Sequence, residues 1–245
     1  MIFNLLRATY ITLLLVFIGS FSFAQSNYFK MSYGFGGGIN KSYTDVYKGS
    51  NGYTFYGVFD YHITPFVTLG LEGQYGLVQG GDIVNDPHNR QFANQYTAIS
   101  ANVKLMLGEV INYDRSEFLY NIRGLYAGLG VGVINNNIAD GDIVRYKPAW
   151  AEYDPGYGPF PGENKSLNLL VPLNLGFNYY INDGYGYMRY IININAQSNF
   201  TFGEGLDGYN DPSAKFKNNS PDVYNTYTIG LKYMFGKIKV YHKTL

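Results

Sequence analysis

The sequence predicts an all-β chain: a transmembrane antiparallel up-and-down β-barrel of eight strands, preceded by a cleaved signal peptide. Three observations carry this. Residues 226–235 alternate strictly, with Tyr227, Ile229, Leu231, Tyr233 and Phe235 on one face and Thr226, Thr228, Gly230, Lys232 and Met234 on the other. A strand turns successive side chains to opposite faces, so this one is greasy on one side and small or polar on the other. That suits a wall between lipid and a polar interior. Seven further segments repeat the pattern, and the connections between them alternate between short and long.

The first 24 residues stand apart. Arg7 gives a short basic start, and residues 11–23 form an apolar run relieved only by Thr12, Gly19, Ser20 and Ser22. Ser22 and Ala24 place small residues three and one before a cut at Gln25, which reads as a secretory signal peptide. The run is too short to span a bilayer, which takes about 20 apolar residues. No later apolar run comes near that length, so helical spans are excluded while a barrel is not. Residues 25–235 are expected to form the barrel and residues 236–245 a short extension, a tail or the end of a strand.

The segments follow in order. Residues 29–40 set Phe29, Met31, Tyr33, Phe35 and Ile39 against glycines and polar residues. Residues 53–63 set Tyr53, Phe55, Phe59, Tyr61 and Ile63 against Thr54, Tyr56, Asp60 and His62, and a tight turn is expected at Thr64-Pro65. Residues 66–78 set Leu69, Leu71 and Tyr75 against Thr68, Glu72 and Gln74. Residues 95–107 set Ile99, Ala101 and Val103 against Ser100, Asn102 and Lys104.

Residues 118–134 change phase between Ile122 and Leu125, so a β-bulge is expected near Arg123-Gly124. Residues 167–181 alternate cleanly except at Pro172, where a bulge or a missing ladder bond is expected. Asn182-Asp183-Gly184 signals a hairpin turn. Residues 187–202 set Met188, Tyr190, Ile192 and Ile194 against Arg189, Asn193, Asn195 and Gln197. The eighth segment is 226–235. Beyond it the parity breaks at Gly236, because Ile238 and Val240 alternate the other way.

Residues 42–52, 79–94, 135–166 and 203–222 are the long connections, expected on the outer side with the short turns and both termini on the periplasmic side. The 135–166 stretch either extends its two strands beyond the membrane or hides another hairpin, which keeps a ten-strand count open. The chain holds 26 Tyr and 30 Gly. Tyr suits a membrane interface, and Gly permits curvature and leaves room inside a narrow barrel. Basic and acidic residues balance at 18 each, which gives no argument for nucleic acid. With no Cys there is neither disulfide nor thiol chemistry.

Thr228, Gly230, Tyr233 and Phe235 stand as a polar residue, a Gly two on, and aromatics three and five beyond the Gly. The stretch looks like the C-terminal β-signal of outer-membrane barrels. With the leader and eight amphipathic strands, the chain resembles the small bacterial outer-membrane β-barrel family, which groups the OmpA membrane domain, OmpX, OmpW and the opacity-like proteins. The resemblance implies location in the bacterial outer membrane and contact with its lipid. It also implies the barrel-assembly machinery and periplasmic chaperones as partners during biogenesis.

Asp60, His62, Glu72, Lys104, Arg189 and Lys232 fall on the polar faces. Eight strands leave an interior just wide enough for side chains, so these charges are expected to pair as a plug, Glu72 with Lys104 first. The sharper alternative is a narrow gated passage. Asp60 and His62 have a spacing that could serve acid–base chemistry, but no serine with a matched histidine and acid presents itself. No catalytic, cofactor or metal constellation is expected. Tyr146, Trp150, Tyr153, Tyr157 and Phe160 are expected to form an outer-loop surface for an envelope protein partner. The expected function is a structural, adhesive or complex-subunit role through the outer loops, with porin-like transport of small solutes and outer-membrane lipid modification as alternatives.

Overall fold

The structure, a computed structural model, describes residues 26–150, 159–210 and 221–241. The expected leader, and Tyr153 and Tyr157 of the outer-loop surface, lie outside the described residues. Eight strands follow one another in an antiparallel ring: β1 Ser26–Tyr43, β2 Gly49–Thr64, β3 Val67–Gly81, β4 Gln91–Met106, β5 Leu125–Ile143, β6 Lys165–Asn182, β7 Met188–Phe202 and β8 Asp222–Tyr241. β1 pairs with β8 from Ser26↔Tyr241 to Tyr43↔Val223, which closes the sheet and leaves no edge along the wall.

Period-two alternation puts the apolar set outside and the polar set inside. Along β4, inward Asn94 to Met106 are buried while outward Ile99, Ala101, Val103 and Leu105 are exposed to the surroundings. The exterior carries an aliphatic belt that includes Leu71, Val103, Leu129, Leu175 and Ile229. Tyr190, Tyr233, Tyr33 and Phe59 share one register row across β7, β8, β1 and β2. Their rings touch, with Tyr33–Tyr233 at 5.8 Å and Tyr190–Tyr233 at 5.6 Å between centroids. Such an aromatic girdle marks a membrane–water interface, where one end of the ring is apolar and the hydroxyl stays wet.

Three local expectations are corrected. Residues 117–122 are not strand. A short helix α1 (Leu107–Val110), a 3-10 turn (Tyr113–Arg115) and a helix α2 (Glu117–Ile122) link β4 to β5. Ser116 caps α2 by accepting a hydrogen bond from Leu119 N–H at 3.2 Å. The phase change at Arg123-Gly124 is therefore a helix-to-strand junction and not a bulge. Phe29, expected outside, is buried, because a register shift between Phe29 and Met31 opposite β8 turns it inward. Met188, expected on the lipid face, is also buried; it lies at the end of β7 beside a register shift in β6. The hairpin turn expected at Asn182-Asp183-Gly184 does join β6 to β7, closed by the Gly186 N–H donating to the Asp183 carbonyl at 3.0 Å, with Gly186 at φ +80°. The Asp183 carboxylate accepts from the N–H groups of Tyr185 and Tyr187, and this sets that geometry.

Elsewhere the structure accords with the sequence. The β5–β6 ladder skips Val171 and Pro172 without changing register, as the lost proline N–H requires. β5 and β6 run well past the expected membrane edge, to Ile143 and from Lys165, which shortens the outer loop between them. The first outer connection is shorter than expected, only residues 44–48, because β1 and β2 extend toward it. β8 continues to Tyr241 through the bulge at Gly236 (φ +94°).

Candidate functional site

The interior of the barrel gathers most of the chain's polar chemistry, and it is filled. Two inward glycines show how. A Cβ on Gly230 would stand 2.2 Å from the Tyr56 hydroxyl, and one on Gly176 would stand 2.5 Å from the Tyr126 hydroxyl. The glycines make room for tyrosines lying across the lumen. Tyr56 and Tyr126 are buried there and donate to Asn193 Oδ1 at 3.2 Å and Asn195 Oδ1 at 2.9 Å. Much of the tyrosine content thus serves the lumen as well as the membrane interface.

Around these rings runs an amide network. Asn195 donates to Asn174 at 3.0 Å, Asn174 to Asn102 at 3.2 Å, and Asn193 to Asn178 at 2.8 Å. Buried amides are costly unless paired, and these satisfy one another from β4, β6 and β7.

The charges sit among the amides. Lys232 Nζ on β8 lies 2.6 Å from Asp60 Oδ2 on β2, and Lys104 Nζ on β4 lies 3.6 Å from Glu72 Oε2 on β3. All four side chains are under 5% exposed. Gln74 donates a further 2.8 Å hydrogen bond to Glu72. Arg189, expected in this cluster, is not in it. It is the extra residue of β7, where Ile181 pairs with Tyr190 but Asn182 with Met188, and it sits at the periplasmic rim, over the Phe29 ring at 3.9 Å and paired with Asp183 at 3.2 Å. His62 is buried, with Nε2 2.9 Å from Ser32 Oγ. Ser32 was not singled out from the sequence; the antiparallel β1–β2 pairing, with Ser32 opposite Asp60, sets it beside His62. The pair lacks the third member of a hydrolytic triad: His62 Nδ1 has no hydrogen-bond partner, while the Asp60 carboxylate is bound to Lys232.

Both mouths are covered. At the periplasmic end Phe66, fully buried, meets Tyr113, Tyr180 and Tyr241 at centroid distances of 5.3, 6.2 and 5.8 Å. At the outer end the β7–β8 loop folds inward and buries Leu206, Asp207 and Tyr209. The Tyr209 hydroxyl lies 2.8 Å from the Val144 carbonyl and 3.0 Å from that of Gln91, and Phe160 meets the Tyr209 ring edge-on at 6.0 Å. Arg145 ties two outer loops together by donating to Asn164 Oδ1 at 2.6 Å and to the Gly208 carbonyl at 2.9 Å. Burial pushes the Asp207 carboxyl up to about 7, with Asp45 adding to the rise and Arg90 opposing it.

Phe160 therefore belongs to the cap and not to the outer-loop surface, since it is 4% exposed. Tyr146 and Trp150 do project, at 70% and 63% exposure. Thr228, Gly230, Tyr233 and Phe235 lie within β8, with Thr228 and Gly230 paired to Gly38 and Gly36 across the closing seam.

A closed eight-strand ring, an apolar exterior with an aromatic girdle and a polar, side-chain-filled lumen define a small outer-membrane β-barrel. No protein-family model and no curated protein matches the chain. Among solved structures it is similar to Neisserial surface protein A, with 9% identity, a TM-score of 0.46, and 84% of this chain and 97% of that one covered. It is also similar to Ail, the attachment invasion locus protein of Yersinia pestis, with 14% identity, a TM-score of 0.42 and 86% and 100% covered. A third similar structure is the outer membrane protein OprG from Pseudomonas aeruginosa, with 11% identity, a TM-score of 0.38 and 87% and 99% covered.

Proposed function

We propose that this chain is a sealed, non-enzymatic outer-membrane barrel that acts through its outer loops, as an adhesive, structural or complex-forming surface protein. The observation that carries the reading is the lumen. Both buried ion pairs are matched, and each mouth is covered by packed aromatics. What such a barrel leaves free for recognition is its outer rim, where Tyr146 and Trp150 stand exposed beside Lys147. Exposed Tyr and Trp are residue types enriched at protein contacts. The partner is an envelope or surface protein. Outer-membrane lipid surrounds the wall, and the barrel-assembly machinery and periplasmic chaperones act during biogenesis.

Transport of small solutes would require the Leu206–Tyr209 cap to lift and the two ion pairs to part. Catalysis would require substrate to reach Ser32 and His62, which are 0% and 2% exposed. Two measurements test the reading. The purified protein should stay insulating in planar bilayers, as should Glu72→Gln; steady conductance from the native protein would refute a sealed barrel. A pull-down from detergent-solubilised outer membranes should recover a discrete partner that Tyr146→Ala/Trp150→Ala releases. Equal recovery with the double variant would remove the loops from the interaction.

A further inference from the structure

The β5–β6 ladder ends early at the periplasmic rim. Its last register pair is Leu125↔Phe177, followed by one bond from Asn178 N–H to the Gly124 carbonyl at 2.9 Å, whereas β6 continues to Asn182. Strand amides on one side recur every second residue, so the N–H of Tyr180 points the same way as that of Asn178. It faces a gap where β5 has given way to α2. A cavity of about 300 Å³ occupies that gap, lined by Tyr120, Asn121 and Arg123 on one side and by Asn178, Tyr180 and Asn182 on the other.

Arg123 is the unusual member. It is 7% exposed, stacked 3.6 Å from the Tyr120 ring and 5.6 Å from that of Tyr180. One guanidinium nitrogen donates to the Tyr120 carbonyl, and Nε is buried without a hydrogen-bond partner. The buried lumen lysines each have a carboxylate, but among the described residues Arg123 has none within ion-pair distance. A guanidinium taken from water and left without a counter-charge is costly, so the site is incomplete as it stands. Amide donors from Asn121 and Asn182 and the spare Tyr180 N–H line the same space. Donors without acceptors, grouped around a planar cation, are what a tetrahedral oxyanion needs.

Position narrows the anion. Tyr179 and Ile181, on the outward face of this β6 segment, pair with Ile192 and Tyr190, and Tyr190 belongs to the periplasmic aromatic girdle. The cavity therefore opens at headgroup depth. We propose that this notch binds a phosphate group, carried either by a phospholipid of the inner leaflet or by free phosphate of the periplasm, with Arg123 as its counter-charge.

Native mass spectrometry of the detergent-released barrel tests this, with one arm incubated with phosphatidylglycerol and one with inorganic phosphate. The expected result is one ligand retained per chain, with occupancy falling at least tenfold in Arg123→Gln and in Asn121→Asp. Asn121 is exposed on α2, so the second variant adds a repelling charge without disturbing packing, and heat-modifiable gel mobility confirms that each variant is folded. Lipid retention that excess inorganic phosphate does not displace assigns the headgroup. Binding of inorganic phosphate alone assigns the free anion. No retention in either arm, or equal retention by the folded Asn121→Asp variant, would overturn the proposal.

Discussion

Replacing Lys232 with Met should be among the most damaging single changes in the lumen. The ammonium is 2.6 Å from Asp60 Oδ2, and both side chains are under 4% exposed. Asp60 Oδ1 has no hydrogen-bond partner, so the carboxylate depends on this one contact. Lys232→Met fills much the same volume but strands the carboxylate in a water-poor interior. Breaking a buried pair on one side costs about 3–5 kcal/mol, whereas replacing both partners by neutral groups is often close to neutral. At about 1.4 kcal/mol per decade, the single change should lower the folding equilibrium by roughly two to three and a half decades. The assay is urea unfolding of the barrel refolded into lipid vesicles, followed by heat-modifiable gel mobility. Lys232→Met should shift the midpoint strongly down, and Asp60→Asn/Lys232→Met should restore most of it. A single variant within about 1 kcal/mol of the native protein, or a double variant as weak as the single, would refute the claim that the lumen is held by paired charge.

Two further outcomes can be checked on the same preparation. Asp207 has its proton affinity raised by burial in the cap, so the folded cap binds more protons than the unfolded loop between about pH 4 and about pH 7. Cap stability should therefore fall as pH rises through that window. Hydrogen exchange at Tyr209 and its neighbours should show greater protection at pH 5 than at pH 8, after correction for intrinsic exchange, and the reverse order would refute the assignment. Leu71→Arg, on the aliphatic belt, should cost about 2–4 kcal/mol in vesicle-based unfolding, because the charge would face hydrocarbon. A change near zero would place Leu71 outside the bilayer.

The alternation of Thr226–Phe235-type segments was legible because period two is a property of the strand alone, and a membrane sharpens it by demanding one apolar face. That local rule carried the strand order, the face of nearly every outward residue and the Glu72–Lys104 pair, whose strands are neighbours in both sequence and space. It failed where a second local signal competed. Ser116 as a helix cap made residues 117–122 helical, the bulge at Gly236 turned Phe29 away from the lipid, and an extra residue in β7 left Arg189 at the rim. It was silent on contacts made across the ring.

By itself, then, the chain determined which residues face lipid and which face inward, since each strand encodes that over a few residues. Closure decided the rest. Only a ring places Lys232 of β8 beside Asp60 of β2, and Tyr56 of β2 over the bare backbone of Gly230 on β8. Only folding of the outer loop into the mouth hides Phe160 and Tyr209. The Lys232–Asp60 contact joins residues 172 positions apart, and such partners are set by shear and curvature of the whole sheet, which no stretch of sequence specifies alone.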